Sequence, residues 1–126
     1  MSKNPVGWFE IYVQDINRAK SFYEAVLNVK LEKLNGKDPE MPEMWTFPMV
    51  RDGSGATGAL VKMSGVPSGG NSVLVYFVCA DCATEAGRVA KAGGRIHRDK
   101  MPIGEYGFIA LAFDTEGNMF GLHSMS

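Results

Sequence analysis

Val6–Val13 is a run of apolar, aromatic and β-branched residues, the composition of a strand. Asp15 follows as a helix N-cap, and Ile16, Ala19, Phe22, Tyr23, Val26 and Leu27 then recur at helical spacing, with Arg18, Lys20 and Glu24 at the other positions. This helix is expected to end near Asn28. Val29–Leu34 alternates apolar and charged residues and reads as a half-exposed strand. Residues 35–42, with Gly36, Pro39 and Pro42, read as a loop. Met44–Val50 and Thr57–Met63 read as two further strands around a glycine-rich turn, and Ser64–Asn71 (S-G-V-P-S-G-G-N) as a linker.

The order then repeats. Ser72–Cys79 reads as a strand and Asp81 as a helix cap. Ala86, Val89 and Ala90 sit on a helix that ends at Gly93-Gly94. Arg95–Arg98 reads as a short strand, residues 99–105 as a loop, and Tyr106–Phe113 with Asn118–Ser124 as a hairpin around Asp114–Gly117. Aligning Asp15 with Asp81 sets Val13 on Cys79, Ile11 on Phe77 and Phe9 on Val75. Both halves therefore read β-α-β-β-β, the mark of an internal duplication.

The chain has 126 residues, with 13 Lys and Arg against 14 Asp and Glu, a net charge of −1. This balance argues against nucleic-acid binding, because a phosphate-binding surface normally shows as a basic excess. A hydrophobic fraction of 45% and a charged fraction of 21% describe an ordinary folded domain. No apolar run approaches the ~18 residues of a membrane span, and Met1–Pro5 lacks a signal-peptide stretch. A cytoplasmic protein of one domain, residues 1–126, is expected, with modules 6–63 and 72–124 joined by residues 64–71. The two cysteines form C-A-D-C (Cys79, Cys82). A redox pair or half a zinc site is one reading. The other is a core residue ending a strand and a residue in the next helix's first turn, and it is preferred because Cys79 closes an apolar run.

V-Q-D-I-N-R-A-K-S-F-Y (Val13–Tyr23), A-G-G-R-I (Ala92–Ile96) and F-D-T-E-G-N-M-F-G-L (Phe113–Leu122), placed on two βαβββ units, resemble the vicinal oxygen chelate superfamily. That group includes glyoxalase I, extradiol dioxygenases, fosfomycin resistance enzymes and bleomycin-binding proteins. The resemblance covers residues 6–124. It implies an α+β fold of two tandem modules whose curled mixed sheets enclose a cleft, which in the metalloenzymes holds a divalent metal. The matching ligand positions here are Trp8, Leu74, Gly121 and one of Gly58, Ala59 or Leu60. None offers a metal-binding side chain, so no metal, no cofactor and no metal-assisted glyoxalase or dioxygenase chemistry is expected.

Strand alternation puts Trp8, Glu10 and Tyr12 on one face and Phe9, Ile11 and Val13 on the other. The first set is expected to face the cleft, with Leu74, Tyr76 and Val78 from the second half's first strand and Gly121 and His123 from its last. Glu10 is a lone carboxylate in an aromatic run. With His123 or Tyr76 it could perform acid–base chemistry. The alternative is a structural role, hydrogen-bonded or paired with Lys62 or Arg51. Trp45 and Phe47 are expected to join Trp8, Tyr12 and Tyr76 as an aromatic slot. His97, between Arg95 and Arg98, reads as a surface residue. Gly53–Gly58 matches G-x-G-x-x-G, but a strand rather than a helix follows it, so it reads as a turn. Two functions stay open: a metal-free module that binds a small aromatic or apolar molecule, and a metal-independent lyase, isomerase or hydrolase built on Glu10 with His123 or Tyr76. Whether the chain is an enzyme is left undecided. A homodimer is expected, since the family usually pairs and sheet edges want covering.

Overall fold

The structure, a computed structural model, describes residues 4–34, 41–51, 55–70 and 72–126. Most of the expected 35–42 loop, Gly53 and Ser54 of the glycine run, Asn71 of the linker and Met1–Lys3 lie outside the described residues. The elements are β1 (Val6–Tyr12), α1 (Ile16–Leu27), β2 (Glu32–Lys33), β3 (Glu43–Thr46), β4 (Thr57–Lys62), β5 (Val73–Val78), α2 (Cys82–Val89), β6 (Arg95–Pro102), β7 (Phe108–Phe113) and β8 (Met119–Ser124). The class is α+β, and the order β-α-β-β-β occurs twice, as expected. No helix among the described residues is long and apolar enough to cross a membrane.

Two compact units form. One is Phe9–Val73; the other joins the chain up to Trp8 to Leu74–Ser126. Within the Phe9–Val73 unit, residues 64–70 fold back onto the end of β1. Gln14 Nε2 donates to the Val66 carbonyl (2.9 Å), and Ser68 Oγ to the Tyr12 carbonyl (3.0 Å).

In the Phe9–Val73 unit the strand order is β2-β3-β4-β1. Asp15 caps α1 by accepting from Arg18 N–H at 3.0 Å. The helix stops at Asn28, whose φ of 53° is left-handed and whose N–H reaches the Glu24 carbonyl. Ile16, Leu31, Phe47 and Leu60 form the core, with Phe9, Ile11, Val13, Ala19 and Tyr23 packed on it. Gly58 is needed where β4 crosses β1, since a Cβ there would lie 2.0 Å from the Phe9 carbonyl oxygen. Two strands are shorter than the alternation predicts. Val29–Leu34 yields only Glu32–Lys33, because the Val29 and Leu31 N–H groups turn back to Glu24, its carbonyl at 3.3 Å and its carboxylate at 2.8 Å. Met44–Val50 ends at Thr46. Pro48 has no N–H to donate, and Thr57 Oγ takes the Phe47 and Pro48 carbonyls (3.2 and 2.9 Å).

In the other unit the order is β5-β8-β7-β6. β5 and β8 run parallel, and the other pairs antiparallel. Asp81 caps α2 through Ala83 N–H (3.0 Å) and binds Lys100 Nζ (2.8 Å). Cys79, Cys82, Ala110 and Leu122 form the core beneath α2, with Phe77, Ala86, Phe108 and Phe120 against it. β6 runs from Arg95 to Pro102, twice the expected length. Its pairing with β7 shifts register between Ile96 and Arg98 and again between Arg98 and Met101. These irregularities break the alternation that marks a strand in sequence.

Candidate functional site

The parity of β1 is as expected. Phe9, Ile11 and Val13 pack toward α1, so Glu10 and Tyr12 stand on the opposite, helix-free face. Glu10 is 9% exposed, and the Tyr12 hydroxyl donates to its Oε1 at 2.6 Å. That distance is in the range of charge-assisted O–H···O bonds. Residues two apart on a strand project side by side, so the pair follows directly from the strand period.

Trp45 and Phe47 are a correction. They do not share the face of Glu10 and Tyr12. β3 pairs with β4 so that Trp45 lies opposite Leu60, which is wholly buried in the core under α1. The Phe47 ring sits 5.5 Å from Phe9 and 5.8 Å from Tyr23, and Lys20 Nζ lies 4.9 Å over the Trp45 ring. The helix-free face of these strands carries Met44 opposite Val61 and Thr46 opposite Ala59.

In the other unit, Phe77 and Leu122 point into the core under α2. Leu74, Tyr76 and Val78 therefore occupy the helix-free face of β5, and Gly121 and His123 that of β8, with Tyr76 opposite Gly121 and Val78 opposite His123. The Tyr76 ring covers Gly121: a Cβ at residue 121 would be 2.2 Å from Tyr76 Cδ1 and 2.4 Å from Cε1. His123 Nε2 lies 2.6 Å from the Tyr106 carbonyl oxygen. A carbonyl only accepts, so Nε2 carries the proton and, in the neutral ring, Nδ1 holds the lone pair. Ile109 and Leu111, opposite His123 and Gly121 on β7, belong to the same face. Sequence reasoning missed them, although the alternation of F-I-A-L-A-F contains the signal. Leu74 is buried and Trp8 half-buried. His97 is exposed, its ring edge-on to Phe113 at 5.5 Å.

The C-A-D-C cysteines are free and buried. Cys82 opens α2 and its N–H donates to Ser124 Oγ at 2.9 Å. Burial first, then the nearby Glu85 carboxylate, pushes the Cys79 thiol up to about 11. A thiol so disposed stays protonated at neutral pH and is a poor nucleophile.

The family's metal does not fit these residues. Tyr76 fills the room a side chain at residue 121 would need, and neither leucine at 74 nor tryptophan at 8 is a ligand. Among the described residues no group of three or more His, Cys, Asp or Glu side chains is placed to hold an ion.

A family model, the Glyoxalase/Bleomycin resistance protein/Dioxygenase superfamily, matches residues 6–122. The chain belongs to that superfamily. Among curated relatives, the protein called "Putative glyoxylase CFP32" of Mycobacterium bovis is 27% identical over 117 residues, and so is its Mycobacterium tuberculosis counterpart. The match takes in 91% of this chain but 42% of those relatives' length. Among solved structures, Streptomyces coelicolor methylmalonyl-CoA epimerase bound to 2-nitronate-propionyl-CoA superposes with a TM-score of 0.71 at 15% identity, over 99% of this chain and 96% of that one. The Mycobacterium tuberculosis methylmalonyl-CoA epimerase gives a TM-score of 0.69 at 16% identity, over 97% and 88%. These likenesses show the same fold.

Proposed function

We propose that the chain is a small-molecule-binding member of its superfamily that works without a metal centre. Its ligand is an aromatic or apolar compound held against the helix-free strand faces. Glu10 and Tyr12 offer contacts in one unit, and Trp8, Leu74, Tyr76, Gly121 and His123 in the other. The observation that carries this reading is the Tyr76 ring lying over Gly121, which puts an aromatic surface where the metalloenzymes need a ligand side chain. Structures of the same fold that hold a CoA ester support small-molecule binding in general terms. The chain spans under half of its curated relatives, so their activity is not carried over.

A second reading, a metal-independent lyase, isomerase or hydrolase, draws on the 2.6 Å Tyr12–Glu10 bond. A carboxylate with a hydroxyl on one oxygen can take a proton on the other while Tyr12 steadies the charge. His123 Nδ1 and the Tyr76 hydroxyl are the other acid–base groups of this reading. A cytoplasmic homodimer with no nucleic-acid or membrane partner completes the proposal.

Elemental analysis of dialysed, tag-free protein tests the metal-free claim. Less than a tenth of an equivalent of any divalent transition metal is expected, and about one equivalent of Zn, Ni, Fe or Mn overturns it. Ligand-observed NMR with indole tests binding, which Tyr76→Ala should weaken. Equal binding by that variant removes the aromatic surface from the argument. A reaction abolished by Glu10→Gln while indole binding persists selects the enzyme. Light scattering at micromolar concentration decides the oligomer: a mass near 13.7 kDa rejects the dimer.

A further inference from the structure

Arg95 and Arg98 are three residues apart, so plain alternation would put them on opposite faces of β6. The pairing with β7 says otherwise. Arg95 stands opposite Phe113, Ile96 opposite Ala112 and Arg98 opposite Leu111. From Ile96 to Arg98 β6 takes two steps where β7 takes one, a bulge with His97 as the extra residue. Phe113 and Leu111 are two apart on β7 and share a face, so the bulge turns Arg98 to the face of Arg95. That face is the helix-free one, on which Leu111 lies opposite Gly121 and Gly121 opposite Tyr76.

Both arginines are exposed. The Arg95 guanidinium sits over the Phe113 ring, 4.2 Å from its centroid. Among the described residues neither arginine forms an ion pair. β5, β6, β7 and β8 carry one acid, Asp99, which is exposed and also without an ion pair among the described residues. β7 advances about 3.4 Å per residue, so the positions opposite Phe113 and Leu111 are about 7 Å apart, within reach of two arginine side chains converging on one anion. Beside them the face is apolar, with Ile109, Leu111 and Tyr76. We propose that the ligand of this face is a carboxylate, an aromatic or apolar acid whose body lies against those three side chains and whose charge is held by Arg95 and Arg98. This rests on the small-molecule binding proposed above and adds the charge of the ligand. A guanidinium fork matches a carboxylate with two parallel N–H···O bonds, which a neutral amide of the same shape cannot reproduce.

The full chain is titrated with indole-3-acetate and, separately, with its neutral analogue indole-3-acetamide, each followed by ligand-observed NMR. The acetate should bind roughly fivefold more tightly at low salt, the preference of two exposed cations, and the difference should shrink in about 0.5 M sodium chloride. Arg95→Gln and Arg98→Gln should each weaken the acetate roughly threefold and leave the amide within about twofold. Arg88→Gln, an equal loss of charge on α2, should change neither probe. Binding of neither probe overturns the small-molecule reading and this inference together. Equal binding of the two probes, an unchanged acetate affinity in both β6 variants, or the same loss in Arg88→Gln overturns the carboxylate assignment and leaves the small-molecule reading standing.

Discussion

Gly121→Ala tests the contact on which the site reading turns. The φ at 121 is not among the positive values of this chain, so alanine meets no backbone strain there. The obstacle is the ring: the new Cβ would stand 2.2, 2.4 and 2.9 Å from Cδ1, Cε1 and Cγ of Tyr76. Carbon atoms pack at ~3.5–4.0 Å, so the ring must retreat by more than ~1 Å. Tyr76 is 7% exposed, which leaves it little freedom to do so. Overpacking of this kind costs ~1–3 kcal/mol, and the entropy a glycine-to-alanine change removes from the unfolded chain offsets ~0.4–1 kcal/mol. The net expectation is a loss of about 1–2 kcal/mol, read by urea unfolding with far-ultraviolet circular dichroism at unchanged m. In a Tyr76→Leu background the same substitution should cost nothing or stabilise, a coupling of at least ~1 kcal/mol in a double-mutant cycle. Equal costs in the two backgrounds, or none in either, would refute the claim that the ring occupies the room at 121.

Gly58→Ala should be worse, about 3 kcal/mol or more, because its Cβ meets the Phe9 backbone rather than a movable side chain; calorimetry that finds wild-type melting contradicts this. Neither cysteine should react with Ellman's reagent in the native protein at pH 8, and both should react in guanidinium, since Cys79 titrates near 11 and Cys82 is wholly buried. The Lys100 ammonium, then the Ala83 N–H, holds Asp81 below the usual carboxylate range. Its folded pKa is therefore below its unfolded one, and the stability it adds is present at neutral pH and lost as pH falls through the folded value. Asp81→Asn should accordingly flatten the acid limb of the stability curve below about pH 5, as read by urea midpoints against pH.

Much of this architecture was legible because the chain states it twice. Asp15 and Asp81 cap their helices as read, and the alternation of Val6–Tyr12 placed Glu10 beside Tyr12 because one face of that strand is uniformly apolar. Trp45 and Phe47 escaped for the opposite reason. Met44-Trp45-Thr46-Phe47 carries packable side chains on both faces, so its period does not say which face meets α1. The register with β4, which sets Trp45 opposite Leu60, decides that, and register is not local information. β6 escaped because its irregular pairing removes the periodicity.

The outer strand of the second unit has a consequence for assembly. Among the described residues β6 pairs with β7 alone and ends its strand order, which leaves one ladder of backbone groups unpaired by them along Arg95–Pro102. Its side chains run R-I-H-R-D-K-M-P, with three cations to one anion. Charged side chains along an edge discourage strand addition, and the two register shifts would spoil a continuous ladder against a second copy. Growth by strand addition, the route to open-ended polymers, is therefore disfavoured at this edge. Whatever pairing the chain undertakes should be a closed one made through another surface, and concentrated solutions should stay free of fibrils.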